Sequence, residues 1–162
     1  MAFVGLGSNL GDSEGIVRRA FVKLQTLSNA PLLCSSLWRS APVDCPPGSP
    51  PFVNAVAGLR PRPEETPESL LRHLQELEAA FGRGPRKARN EPRLLDLDLI
   101  AFGARAASGP GLVLPHPRAH LRRFVLAPLA EIAPGFVLPG QAGSAAELLG
   151  KLSSTDIAVK LE

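Results

Sequence analysis

From Arg83 to Ile100 the chain concentrates residues whose types and spacing could do chemistry. Arg83, Arg86, Lys87, Arg89 and Arg93 face a single acid, Glu91, and Gly84, Pro85 and Pro92 interrupt them. A stretch of that composition cannot bury itself and reads as a mobile basic loop. It runs into Leu95-Asp96-Leu97-Asp98-Leu99, whose period of two predicts a half-buried strand. The leucines then point into a core, and Asp96 and Asp98 share the opposite face. Residues two apart on a strand are separated by roughly 6.6 Å. Carboxylates so placed can converge on hard cations, and two-metal phosphoryl sites hold their ions about 3.5–4 Å apart. Oxygen ligands without a Cys or His cluster favour Mg²⁺. A polyphosphate lying between such metals and the arginines would reconcile the charges, which points to nucleoside triphosphate chemistry. The other reading is a solvated strand face with the arginines as its surface partners. Both readings stand on these residues alone.

The elements that must position this stretch follow from periodicity and turn chemistry. Ala2 to Gly7 is a short apolar run, ended by Ser8-Asn9-Leu10-Gly11-Asp12, and Asp12 or Ser13 can cap the helix that follows. Gly5 and Gly7 permit close approach of a backbone or a ligand, but a lone G-x-G without the third glycine of a dinucleotide site reads first as scaffold. Apolar residues at helical spacing predict a helix over 16–27. A strand is expected over 31–39, and then a proline-rich loop, 43–51, that reads as more lid than linker. Phe52 to Ala57 resumes as strand; Asn54 within it is either solvent-facing or satisfied by backbone, or, if buried near a pocket, placed to read the edge of a heterocycle. Thr66-Pro67-Glu68-Ser69 is a helix start, and the helix runs to Phe81 and stops at Gly82. After the Asp96/Asp98 strand come a turn region over 103–111, the short run 112–114 and a stiff Pro115-His116-Pro117-Arg118 corner. A short helical piece over 124–129 and a last helix over 144–152 complete the chain. His116 is a structural histidine or a phosphate donor. The order is a βαββαβ layout: an α+β, ferredoxin-like fold with helices packed on an antiparallel sheet. Residues 1–162 are expected to form one domain.

Composition narrows the classes. At 162 residues the chain is long enough to bury about two-thirds of its unfolded surface. A net charge of +3 is mild, and much of the excess sits in 83–93, so a local anion site is expected rather than a nucleic-acid-coating face. With no tyrosine and one tryptophan there is little to stack along a single strand of bases. Cys34 and Cys45 lack metal-like spacing, so a reducing cytoplasmic compartment is expected. No signal-like start and no membrane-length apolar run are present, and the chain reads as soluble and complete.

Six blocks taken together resemble one family. They are Gly5 to Asp12, Phe52 to Val56, Leu77-Glu78 with Gly82-Arg83, Pro92 to Asp98, Leu114 to Arg118, and Phe124 to Pro134. In this order they are similar to 6-hydroxymethyl-7,8-dihydropterin pyrophosphokinases, enzymes of folate biosynthesis. The resemblance implies ATP as co-substrate, transfer of pyrophosphate to the pterin hydroxymethyl group, and release of AMP. It implies that Asp96 and Asp98 hold two Mg²⁺ ions and that Arg83 and Arg93 act on the phosphates during transfer. Gln75, Glu78, Arg83, Arg86, Leu99, His116 and Arg122 would border ATP. The pterin would lie between Phe52 and Phe124, with Asn54 bonding its ring and Ser40, Ala41 and Val43 closing its edge. Ser8 and Asn9 would brace that wall. A monomer acting on small molecules is expected, with no nucleic-acid or membrane partner.

The chain departs from the family pattern at Asn90, Glu91, Leu94 and Pro47 to Pro50, which bears on how the loops seal the site. Two other classes compete: a catalytically silent ATP- or pterin-binding module on the same fold, and a metal-dependent nuclease or RNA-binding domain. Asp96, Asp98, Arg83 and Arg93 together exceed what binding alone needs. The absence of a broad basic face argues against the second.

Overall fold

The computed structural model describes residues 1–82, 92–153 and 157–162. Its centre is β1 (Ala2–Ser8), which pairs antiparallel with β4 (Phe52–Leu59) on one side and β5 (Asp96–Phe102) on the other. Beyond β4 lie β2 (Leu33–Cys34) and β3 (Trp38–Ser40), and β8 (Ala158–Lys160) pairs with β3 at the edge. The path β5-β1-β4-β3 is that of a ferredoxin-like βαββαβ sheet, with β8 added. A small hairpin, β6 (Ala107–Gly109) with β7 (Leu112–Leu114), stands apart from the main sheet.

Three of the four α-helices begin where a side chain satisfies a first-turn amide. For α1 (Ser13–Leu24), Asp12 accepts from the Gly15 amide, and a 3₁₀ turn over Gln25–Leu27 extends it. For α2 (Pro67–Ala80), Thr66 and Ser69 cap each other reciprocally behind a proline at the start, and Gly82, at φ +90°, ends it. α3 (Arg123–Ile132) runs further than the expected 124–129, continuing through Pro128 at the loss of one i→i−4 bond. α4 (Ala145–Lys151) has a Ser144/Glu147 capping box.

Strand alternation sorts side chains onto two faces. On one, Val4, Leu6, Ala55, Ala57, Leu97 and Leu99 bury against Ile16, Val17, Ala20 and Leu24 of α1 and Leu70 and Leu74 of α2. On the other, Phe3, Val56, Ile100 and Ala101 bury against Leu126 and Leu129 of α3, Ala145 of α4 and Leu138. A register shift between Phe3 and Val4 places Ile100 and Ala101 together in that second cluster.

Two further expectations need revision. The strand over 31–39 is two pieces, because the Ser35 hydroxyl accepts from the Val56 amide at 2.9 Å and displaces the regular ladder. The last helix is followed by β8, whose three residues are too few to show any periodicity.

Candidate active site

The helices cover only part of the second face. The rest is floor to a cavity of about 350 Å³. Register explains that floor: Gly7 stands between Asn54 on β4 and Asp96 on β5, and Gly5 stands between Val56 and Asp98. All of these side chains therefore point the same way, and Phe52 joins them two residues before Asn54. A Cβ on Gly7 would lie 3.7 Å from Asn54 Oδ1 and 3.8 Å from the Phe52 ring. The glycines keep the middle of the floor low, so their first reading as scaffold alone is too narrow.

The cavity brings together most of the expected residues. Ser40, Ala41, Val43, Phe52, Asn54, Arg93, Asp96, Asp98, His116, Arg122 and Phe124 all line it. At one end Asn54, only 5% exposed, donates from Nδ2 to Ser40 Oγ at 2.8 Å and to the Trp38 carbonyl at 3.4 Å. Its Nδ2 is thereby fixed, which orients Oδ1 as an acceptor. The guanidinium of Arg122 covers the Phe124 ring, its Cζ 5.3 Å from the ring centroid.

At the other end Arg93 Nη1 pairs with Asp96 at 2.9 Å. The Arg93 backbone is held by Asn9, whose Oδ1 accepts from the Arg93 amide at 2.9 Å while the Asn9 amide donates to the Arg93 carbonyl at 3.2 Å. Asn9 Nδ2 also donates to the Pro50 carbonyl, so one residue joins the loop before β4 to the segment before β5. Arg93 Nε is buried without a hydrogen-bond partner among the described residues. His116 donates its amide to the Ile100 carbonyl at 2.8 Å, and its Nδ1 accepts from the Arg118 amide at 3.2 Å. Burial, then the charges of Arg122 and Arg118, lower its pKa against the pull of Asp96. The ring is neutral at pH 7 and offers Nε2–H as a donor.

Three residues expected to border ATP stand elsewhere. Gln75 is exposed on α2, and Leu99 points its side chain into the α1/α2 core. Glu78 is 4% exposed, and its Oε1 accepts from the Leu97 amide at 2.7 Å, between the two aspartates. None of the three lines the cavity, although Glu78 steadies the strand that carries Asp96 and Asp98. Arg83 and Arg86 lie outside the described residues. Arg118 was not singled out beforehand, yet it lines the cavity and pairs at 3.8 Å with Asp44 of the 43–51 loop. Its place two residues after His116 was the available signal. Ser8, expected to brace the wall, is buried on the face opposite the cavity.

The donor set suits a hard cation that shares its shell with a substrate. Among the described residues no group of three or more His, Cys, Asp or Glu could cage an ion alone. Two carboxylates on one strand face, opening into a cavity rimmed by cations, match the way Mg²⁺ is held by one or two carboxylates plus phosphate oxygens. Among the described residues no helix is long and apolar enough to cross a membrane.

Known proteins are similar to this chain over most of its length. The 2-amino-4-hydroxy-6-hydroxymethyldihydropteridine pyrophosphokinase of Methylorubrum extorquens is 37% identical over 160 residues, 96% of each chain. That of Synechocystis sp. is 36% identical over 157 residues, covering 96% of this chain and 78% of the relative. That of Haemophilus influenzae is 39% identical over 139 residues, covering 85% and 84%. With a family model matching residues 3–134, the chain belongs to the 7,8-dihydro-6-hydroxymethylpterin-pyrophosphokinase family.

Proposed function

We propose that this pyrophosphokinase, a folate-biosynthesis enzyme acting as a single domain over 1–162, transfers the terminal pyrophosphate of ATP to 6-hydroxymethyl-7,8-dihydropterin. The observation that carries this reading is the floor of the cavity. Asn54 and Asp96 share one row of the sheet with only Gly7 between them. That separation is two strand spacings, roughly 10 Å. A flat heterocycle held at the Asn54 end directs its hydroxymethyl group toward phosphates held at the aspartate end.

The attack forms a bond from the hydroxymethyl oxygen to the β-phosphorus and breaks that atom's bond to the α–β bridging oxygen. AMP leaves with the electron pair, and the hydroxyl proton goes to solvent. Such chemistry needs positioning and charge stabilisation more than a dedicated base. Asn54 reads the ring edge, and Phe52 and Phe124 cover its faces, each stack contributing about 1 kcal/mol. Ser40, Ala41 and Val43 close the side. Arg93, Arg122 and neutral His116 donate to phosphate oxygens, joined by Arg83 and Arg86 of the basic 83–93 stretch. Asp96 and Asp98 hold Mg²⁺, which when bound neutralises and aligns the polyphosphate. Glu78 keeps the Asp96–Asp98 strand in place through Leu97.

Incubation with ATP, Mg²⁺ and 6-hydroxymethyl-7,8-dihydropterin tests the reading directly. AMP and pterin diphosphate in equal amounts are expected. ADP as the nucleotide product would overturn pyrophosphoryl transfer. Binding of both substrates with no product would favour a silent module.

A further inference from the structure

Glu131 has a place in the fold that helix physics does not explain. It is the penultimate residue of α3, where a carboxylate faces the negative end of the helix dipole. It nevertheless gathers four donors from two other segments. Its carboxylate accepts from the Ser36 amide at 3.1 Å, Ser36 Oγ at 2.6 Å, Trp38 Nε1 at 3.1 Å and Lys160 Nζ at 2.9 Å. Partial burial would push its pKa up; the bonds from Ser36, Lys160 and Trp38 outweigh that and hold it at about 2.

The segment it grips is the least regular part of the sheet. The chain between β2 and β3 is broken at Ser35, and β3 has only three residues. That short strand makes one wall of the cleft, since Asn54 Nδ2 reaches both the Trp38 carbonyl and Ser40 Oγ. Another wall is Phe124, at the other end of the same helix that carries Glu131. A single carboxylate therefore ties the two walls together from behind, and Lys160 of β8 braces it from outside the family match at 3–134.

We propose that Glu131 is a positioning residue for the pterin, setting the spacing between Phe124 and the Asn54–Ser40 pair without touching the substrate. The inference rests on the pterin lying at that end of the cavity. Its consequence is selective: the heterocycle end loosens when the tie is cut, while Arg93, Asp96 and Asp98, held by Asn9 and Glu78, keep their geometry.

The test measures two dissociation constants on each folded variant, one for the dihydropterin with a saturating non-hydrolysable ATP analogue and one for the analogue alone. Glu131→Ala should raise the pterin constant about tenfold, within the range for sites coupled through a shared backbone shift. The analogue constant should stay within about twofold, as for a distant independent site. Glu131→Gln, which keeps one acceptor oxygen for the Ser36 amide and Trp38 Nε1, should recover part of the loss. If Glu131→Ala does not fold, Trp38→Phe removes one donor and should shift the pterin constant alone, by less. Equal rises in both constants, or an unmoved pterin constant with intact folding, would overturn the proposal. Asn54→Ala in the same series separates the two levels: if it leaves pterin binding unchanged, the placement of the pterin itself fails.

Discussion

The two faces of this sheet are built from the same strands but solve different problems. The face under α1 and α2 is apolar and closed, with Val4, Leu6, Leu70, Leu74 and Leu97 all buried. The face under α3 and α4 is closed only at the Phe3–Val56–Ile100 end, and elsewhere it gives its surface to Gly5, Gly7, Asn54, Asp96 and Asp98. Leu97 and Asp98 are neighbours in sequence yet serve opposite faces. Stability is concentrated on one side so that the other can hold an open, polar, glycine-floored site. That division makes separable predictions.

The largest effect is expected from Asp98→Ala. It should lower turnover by about a thousandfold or more, on the scale of lost charge stabilisation in phosphoryl transfer. The thermal unfolding midpoint should barely move, because the side chain is exposed on the cavity face. Near-normal turnover would break the assignment of that face.

Leu74→Ala is the counterpart on the closed face. Leu74 is fully buried, so its truncation should cost about 2–5 kcal/mol of stability by urea unfolding. The pterin KM at a temperature where the variant is folded should be unchanged. A shifted KM would show that the faces are not independent.

Gly7→Ala tests the floor itself. The added methyl would make only ordinary contacts, the nearest at 3.7 Å, so the fold should be kept. Loss of chain entropy in the unfolded state should even stabilise it, by about 0.4–1 kcal/mol. Pterin affinity should nevertheless fall about tenfold, since the methyl occupies the space over which the ring would lie. Calorimetric binding set beside unfolding would show stability and affinity moving in opposite directions.

The smallest effect concerns the tie behind α3. Glu131 has a folded pKa of about 2 against an ordinary 4.5. The unfolded chain therefore binds more protons between those values, and stability rises with pH across that window. The contribution is fully present above about pH 4.5 and fades as the pH falls toward 2. Unfolding midpoints at about pH 3 and about pH 6 should differ less in Glu131→Gln than in the unsubstituted chain. An equal difference in both would remove the tie from the acid dependence.

Much of this was legible in the sequence where the signal is local. The period of two over Leu95 to Leu99 assigned both faces of β5, and Thr66, Asp12 and Ser144 marked helix starts that the structure bears out. The floor was less legible, because a G-x-G in a strand gains meaning only when Asn54 and Asp96 are seen on either side of it. Glu78 illustrates the same limit, since a carboxylate one helical turn before a basic loop does not reveal its bond to the Leu97 amide. Glu131 was out of reach altogether: its Ser36 and Trp38 donors lie 95 and 93 residues away in sequence. Side-chain ties of that range leave no periodicity to read.

A crossed binding experiment tests the central claim, that one cavity has a heterocycle end at Asn54 and a phosphate end at Asp98. Dihydropterin and a Mg²⁺-loaded ATP analogue would each be titrated into Asn54→Ala and Asp98→Ala. The account predicts reciprocal losses: Asn54→Ala loses the pterin and keeps the nucleotide, and Asp98→Ala does the reverse. Equal loss of both ligands in both variants, or loss of neither, would contradict it.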